Sequence, residues 1–199
     1  LNTLLERNDK TKLPNNLIRQ SVSDGTIKLI EIGFKIRPSD DAFADLRRQL
    51  LDLYDENLLK WANIFHDVEH LINFIESQNI LWGVVTNKPS YFSKKILARI
   101  PIFNNCAVLI TSDDVKNMKP DPEGISKAFN EIGVFSKIVI YVGDHIKDMI
   151  AAEKAGCLPI ACRYGYYNDQ KNDLQKYLYA DSVHDLKTKI CKVIDERQR

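Results

Sequence analysis

Apolar positions along this chain follow two regimes, and the change falls near residue 62. Before it they recur at helical spacing. Leu1, Leu4 and Leu5 make one short apolar face, and Leu17, Ile18 and Val22 make another after Pro14. Asp24-Gly25 interrupts, and Thr26 to Ile32 predicts a helix stopped by Gly33. Pro38-Ser39-Asp40-Asp41 opens the longest periodic run. Its positions Phe43, Leu46, Leu50, Leu53 or Tyr54, Leu58 and Trp61 step by three and four. Nothing between residues 14 and 62 predicts a strand.

Beyond residue 62 the period alternates. His66 to Ser77 reads as a helix with Val68, Leu71, Ile72 and Ile75 on one side. Leu81 to Val85, Ala107 to Ile110, Ile138 to Val142 and Leu158 to Cys162 are short apolar runs bounded by polar turns, the pattern of strands buried on both faces. Helices are predicted between them: Tyr91 to Arg99, a segment capped by Asp121 with Pro122 in its first turn and Gly133 past its end, and residues 146–155, closed by Gly156. Tyr164 to Tyr177 is weakly patterned and leads to an edge strand near Leu178 to Ala180; His184 to Ile194 is the closing helix. Strands alternating with helices predict an α/β fold, a three-layer Rossmann-like parallel sheet with right-handed crossovers and all four apolar runs in one sheet. The helical stretch 14–62 is a separate unit.

Composition narrows the class. A chain of 199 residues suits one α/β domain with a modest insertion. Its 28 basic and 27 acidic residues leave a net charge of +1, so nothing calls for nucleic acid or an anionic membrane surface as partner. Cys106, Cys157, Cys162 and Cys191 form no C-x-x-C, and three lie in or beside apolar segments; they read as buried thiols of a reducing compartment. No charged-then-apolar leader opens the chain, and no apolar run approaches the ~18 residues of a membrane span. The expectation is a soluble cytoplasmic protein, monomer or homodimer.

The polar residues collect where the strands end. Thr86 follows the first apolar run, Lys119 lies in the loop after the second, and Gly143-Asp144 closes the third, with Asp148 one helical turn on. Open parallel sheets bind ligands at that side. Thr86 and its neighbouring N–H groups can hold phosphoryl oxygens, Lys119 can neutralise their charge, and Asn87 and Lys88 lie near them as substrate-binding groups. Asp144 and Asp148, on the turn and a helical turn later, can face one crevice as oxygen ligands for Mg²⁺. A nucleophile is missing from this set.

Thr86-Asn87-Lys88, Lys119-Pro120 and Gly143-Asp144-x-x-x-Asp148, in that order and spacing, resemble motifs two, three and four of the haloacid dehalogenase superfamily. The surrounding segments VVTNKP, KPDP and YVGDHIKDMIAAEKAG are most similar to its phosphoglycolate phosphatase-like branch, and Arg163-Tyr164-Gly165-Tyr166 resembles the loop after its fifth core strand. The resemblance implies a hydrolase core from residues 1–13 and 63–199 and a helical cap from 14–62. It implies a Mg²⁺-dependent phosphomonoesterase acting on a small anionic phosphorylated metabolite such as 2-phosphoglycolate. Thr86 and Lys119 would be catalytic and Asp144 and Asp148 metal ligands, with substrate choice set in the cap around Asp24 and Gly25, helped by Arg19 or Lys28.

One motif departs from the family. Its first strand ends in Asp-x-Asp-Gly-Thr, which supplies the nucleophile and the general acid/base, and no such sequence occurs here. Asp24-Gly25-Thr26 is a decoy: Val22 stands two residues before the aspartate, and no apolar strand leads into it. A core without its central strand would expose two strand edges. The expectation is that the 199 residues are part of a longer protein. Alternatives are a non-catalytic or truncated relative, a phosphatase of another small metabolite or nucleotide, and a receiver-like binding module. A receiver-like module would need its acidic pair upstream of Thr86, whereas the pair here follows Lys119.

Overall fold

The computed structural model describes residues 1–133, 139–166 and 172–197. Two compact units divide the chain, Leu1–Ala62 and Asn63–Arg199.

The first unit holds helices α1 (Asn2–Arg7), α2 (Asn15–Ser21), α3 (Gly25–Phe34) and α4 (Phe43–Trp61). Leu4, Leu29, Ile30, Phe43, Leu46, Leu50 and Leu53 form its core, so the apolar stripe of α4 is buried as its spacing requires. Residues 1–13, grouped by sequence with the sheet, lie in this unit. Asn2 ties them together: its Nδ2 donates to Leu13 O and its Oδ1 accepts from Leu13 N, both at 3.0 Å. Gly33 does not end α3. The helix runs on to Phe34 and stops at Lys35 in the left-handed region, φ 57°. Gly33 is instead a point of close packing, where a Cβ would stand 3.1 Å from Leu1 Cδ1.

The second unit is an α/β fold of parallel strands flanked by helices: α5 (Val68–Ser77), β1 (Val84–Val85), α6 (Ser90–Arg99), β2 (Leu109–Ile110), α7 (Glu123–Ile132), β3 (Ile140–Gly143), α8 (Ile146–Lys154), β4 (Leu158–Cys162), β5 (Leu178–Ala180) and α9 (Val183–Arg197). Side-chain alternation along β4 builds its layers. Ile160 and Cys162 pack with Leu71 and Ile75 of α5 and Leu186 and Ile190 of α9. Ala161, on the opposite face, packs with Met149 of α8. Ile125 of α7 and Ala151 and Ala152 of α8 form the core that covers Val85 and Tyr141. The cysteines are free thiols, and burial pushes Cys157 and Cys162 up to about 11, so both stay protonated near neutrality. Among the described residues no helix is long and apolar enough to cross a membrane.

The strands do not share one ladder, although the sequence predicts all four apolar runs in one sheet. β1 pairs with β2 (Val84 with Leu109, Val85 with Ile110), and β3, β4 and β5 form a second parallel set. Side chains connect the two: the Tyr141 hydroxyl of β3 donates to Val85 O of β1 at 3.1 Å. Val142 is 40% exposed although it sits within a strand. Among the described residues no strand joins β1 to β3, so a phenol reaches where amides would. Ile138, at the start of the third apolar run, lies outside the described residues, as does Tyr167 of the loop after β4.

Candidate active site

The site is built at the carboxyl ends of β1 and β3. Thr86 extends β1 by donating its N–H to Ile110 O at 2.8 Å, and its Oγ1 accepts from Lys88 N at 3.1 Å, which bends the chain at once into a turn. Buried Ser93 fixes that turn through its Oγ, which donates to Pro89 O at 3.0 Å and Lys88 O at 3.3 Å. The acids after β2 serve structure. Asp113 Oδ2 accepts from Ser90 N at 2.8 Å at the start of α6, and Asp114 Oδ2 accepts from Thr111 N and Oγ1 at 2.8 and 2.6 Å.

Lys119 reaches in from the loop before α7. Its ammonium has three donors, and three acceptors meet it: Val85 O at 2.7 Å, the Tyr141 hydroxyl at 2.9 Å and Asp148 Oδ1 at 2.8 Å. Burial opposes the charge, but Tyr141 and Asp148 outweigh it and hold the ammonium pKa above its ordinary value. Tyr141 is itself pushed up, chiefly by burial. By sequence Tyr141 reads as one apolar residue of a strand; its one signal is a phenol whose tip needs a partner when its body is buried.

Asn87 is expected from sequence to lie at the substrate. In the fold its side-chain amide meets the Lys119 backbone twice: Nδ2 donates to Lys119 O and Oδ1 accepts from Lys119 N, each at 3.0 Å.

Two glycines make room for the carboxylates. Asp144 Oδ2 accepts from Tyr166 N at 2.7 Å, and a Cβ on Gly165 would stand 2.7 Å from that oxygen. Asp148, in the first turn of α8, turns its Oδ2 to His145 N at 3.1 Å, while His145 Nδ1 accepts from Lys147 N at 3.1 Å. Together these bonds cap the helix. Gly143 lies at the end of β3 and is absent from the glycines with positive φ, so it supplies space rather than a special turn. A Cβ there would lie 2.5 Å from Asp148 Cβ. Gly143→Ala is therefore expected to cost about 1–3 kcal/mol, the range of overpacking, read as a lower urea midpoint at unchanged m. An unchanged midpoint would show that the contact relaxes freely.

The second unit thus brings Thr86, Asn87 and Lys88 together with Lys119 and Asp148, and places Asp144 on the turn into α8. Asp24 and Gly25 lie in the first unit, where a short 3₁₀ turn, Val22–Asp24, runs into α3 and Gly25 has φ 83°. Among the described residues no group of three or more His, Cys, Asp or Glu is placed to hold a metal ion.

Known proteins resemble this chain. The model of the family "Haloacid dehalogenase-like hydrolase" matches residues 1–162. An N-acetylmuramic acid 6-phosphate phosphatase of Pseudomonas putida is 35% identical over 181 residues, spanning 91% of this chain and 80% of the relative. A phosphoglycolate phosphatase of Xylella fastidiosa is 30% identical over 175 residues, spanning 87% and 75%. The crystal structure of a haloacid dehalogenase-like hydrolase from Bacteroides fragilis superposes with a TM-score of 0.79 at 22% identity, covering 92% of this chain and 88% of that one.

Proposed function

The chain belongs to the haloacid dehalogenase-like hydrolases, and on that premise we propose that its second unit is the core of a metal-assisted phosphomonoesterase. The observation that carries the reading is the Lys119 ammonium, held between two strand ends beside the Thr86 turn and 2.8 Å from Asp148. Thr86 and the N–H groups of its turn bind phosphoryl oxygens, and Lys119 neutralises charge that grows as phosphorus is attacked. Asp144 and Asp148 suit Mg²⁺, a hard ion that takes one or two carboxylates and keeps several waters. When bound, the ion would neutralise the transferring phosphoryl group.

No Asp-x-Asp-Gly-Thr occurs among these 199 residues. We propose that activity belongs to this chain together with an upstream segment carrying Asp-x-Asp-Gly-Thr at the end of a strand. A strand seated between β1 and β3 would offer its amides to Val85 O, the carbonyl that Lys119 and Tyr141 share here. That exchange would free one ammonium proton for a phosphoryl oxygen.

For the substrate we propose a small phosphate ester that also carries a carboxylate. Both named compounds of the relatives, N-acetylmuramic acid 6-phosphate and phosphoglycolate, combine these two groups. We propose that substrate choice belongs to the helical unit, residues 14–62, as a cap, and within it to Asp24 and Gly25.

Lys119→Met in the segment-bearing protein is expected to raise KM and lower kcat, with kcat/KM down on the order of 10²–10³-fold, because the ammonium faces charge in both ground and transition states. Lys119→Arg keeps the charge but not the compact donor geometry and should fall between. Steady-state assays on 2-phosphoglycolate, N-acetylmuramic acid 6-phosphate and an aryl phosphate check this. A Lys119→Met enzyme as fast as its parent would overturn the mechanism. Turnover of the aryl ester with neither acid would leave the mechanism and remove the substrate.

A further inference from the structure

The geometry points to Asn87 as a positioning residue that acts on the reaction through Lys119 rather than by touching substrate; the inference rests on the role proposed for Lys119. A carboxamide has one good acceptor and two donors. Asn87 directs its acceptor and one donor to the backbone of a single residue 32 positions away, in the geometry of a ladder rung. The residue so gripped is the one whose side chain enters the site.

The rest of the loop shows why this grip matters. On its far side Glu123 accepts from Lys116 N at 2.7 Å and Asn117 N at 2.9 Å, and Asp121 Oδ1 accepts from Glu123 N at 2.9 Å. These bonds fix the loop to the start of α7. Asn87 fixes it to the end of β1, next to Thr86. The ammonium is held at its tip by Val85 O, Tyr141 and Asp148, so Asn87 sets the other end of the lever. The same two-bond device recurs between Asn2 and Leu13 in the first unit, where it closes a loop. A long, flexible lysine performs reproducible electrostatics only if its Cα is placed, since a displacement near 1 Å can cost about 10²-fold in rate.

Two measurements test the inference. In the 199-residue chain, hydrogen exchange across residues 115–122 should quicken in Asn87→Ala. Asn87→Asp, which keeps the acceptor and loses the donor, should retain protection at the Lys119 amide. In the segment-bearing protein, Asn87→Ala should lower kcat about 10–100-fold with KM within about threefold. Set in Lys119→Met, the same change should cost less than about threefold, because residues acting through one group are non-additive. Additive losses from the two substitutions, or exchange unchanged in Asn87→Ala, would overturn the positioning role and leave the phosphatase reading standing. A Lys119→Met enzyme as active as its parent would remove that reading and the positioning role with it.

Discussion

Asp144→Asn, made in a protein bearing the proposed upstream segment, is expected to abolish turnover to within a small residue of the parent rate, a loss on the order of 10²–10³-fold. The change is nearly isosteric. An asparagine oxygen can still accept from Tyr166 N, and Gly165 still leaves room for the group, so the turn after β3 keeps its shape. What is lost is a full negative charge on the proposed ligand to a hard cation, and amide oxygens bind Mg²⁺ more weakly than carboxylates. Thermal unfolding should therefore shift little while kcat collapses, and EDTA should silence the parent with recovery on added Mg²⁺. Undiminished turnover in Asp144→Asn, or a parent indifferent to EDTA, would remove the metal from the mechanism.

The other large effect is all or none. The 199 residues alone should hydrolyse no phosphomonoester above background, because a positioned ammonium and hydroxyl cannot replace an attacking group in a covalent route. The same protein bearing the Asp-x-Asp-Gly-Thr segment should turn over, and replacement of its first aspartate by asparagine should return it to background. Turnover by the 199 residues that vanishes in Lys119→Met would show that a nucleophile lies within them and that the proposed assignment is wrong.

Much of this architecture is legible in the residues. The stripe Phe43 to Trp61 is α4, and Gly133 ends α7, because breakers act locally on the backbone; at the other end the N-cap is Pro122 rather than Asp121, whose Oδ1 accepts from Glu123 N. Gly143 is the last residue of β3 and Asp144 the first of the turn after it, as the apolar run ending there predicts. What escapes is set by partners distant in sequence. The apolar runs 81–85 and 107–110 carry strand composition, yet the paired segments are Val84–Val85 and Leu109–Ile110, since a strand's extent depends on its neighbours' hydrogen bonds. Gly33 signals a stop and a close approach in identical terms, and only the packing of Leu1 distinguishes them. Asn87 beside a phosphate-type turn reads as a ligand contact, and its bond to a residue 32 positions away has no local signature. Tyr141 hides in an apolar strand because its ring satisfies the pattern that its hydroxyl departs from.

Asp148 and Asp144 differ in a way that bears on how relatives of this protein decay. Asp148 is buried, caps α8 through His145 N and pairs with Lys119. Folding alone is enough to select for it. Asp144 meets a loop amide through a contact that asparagine can reproduce. If Asp144 holds the proposed metal, a lineage that stops catalysing but must still fold is expected to keep the first carboxylate and let the second drift. An intact Asp148 would then report a sound helix start, and an intact Asp144 the proposed chemistry.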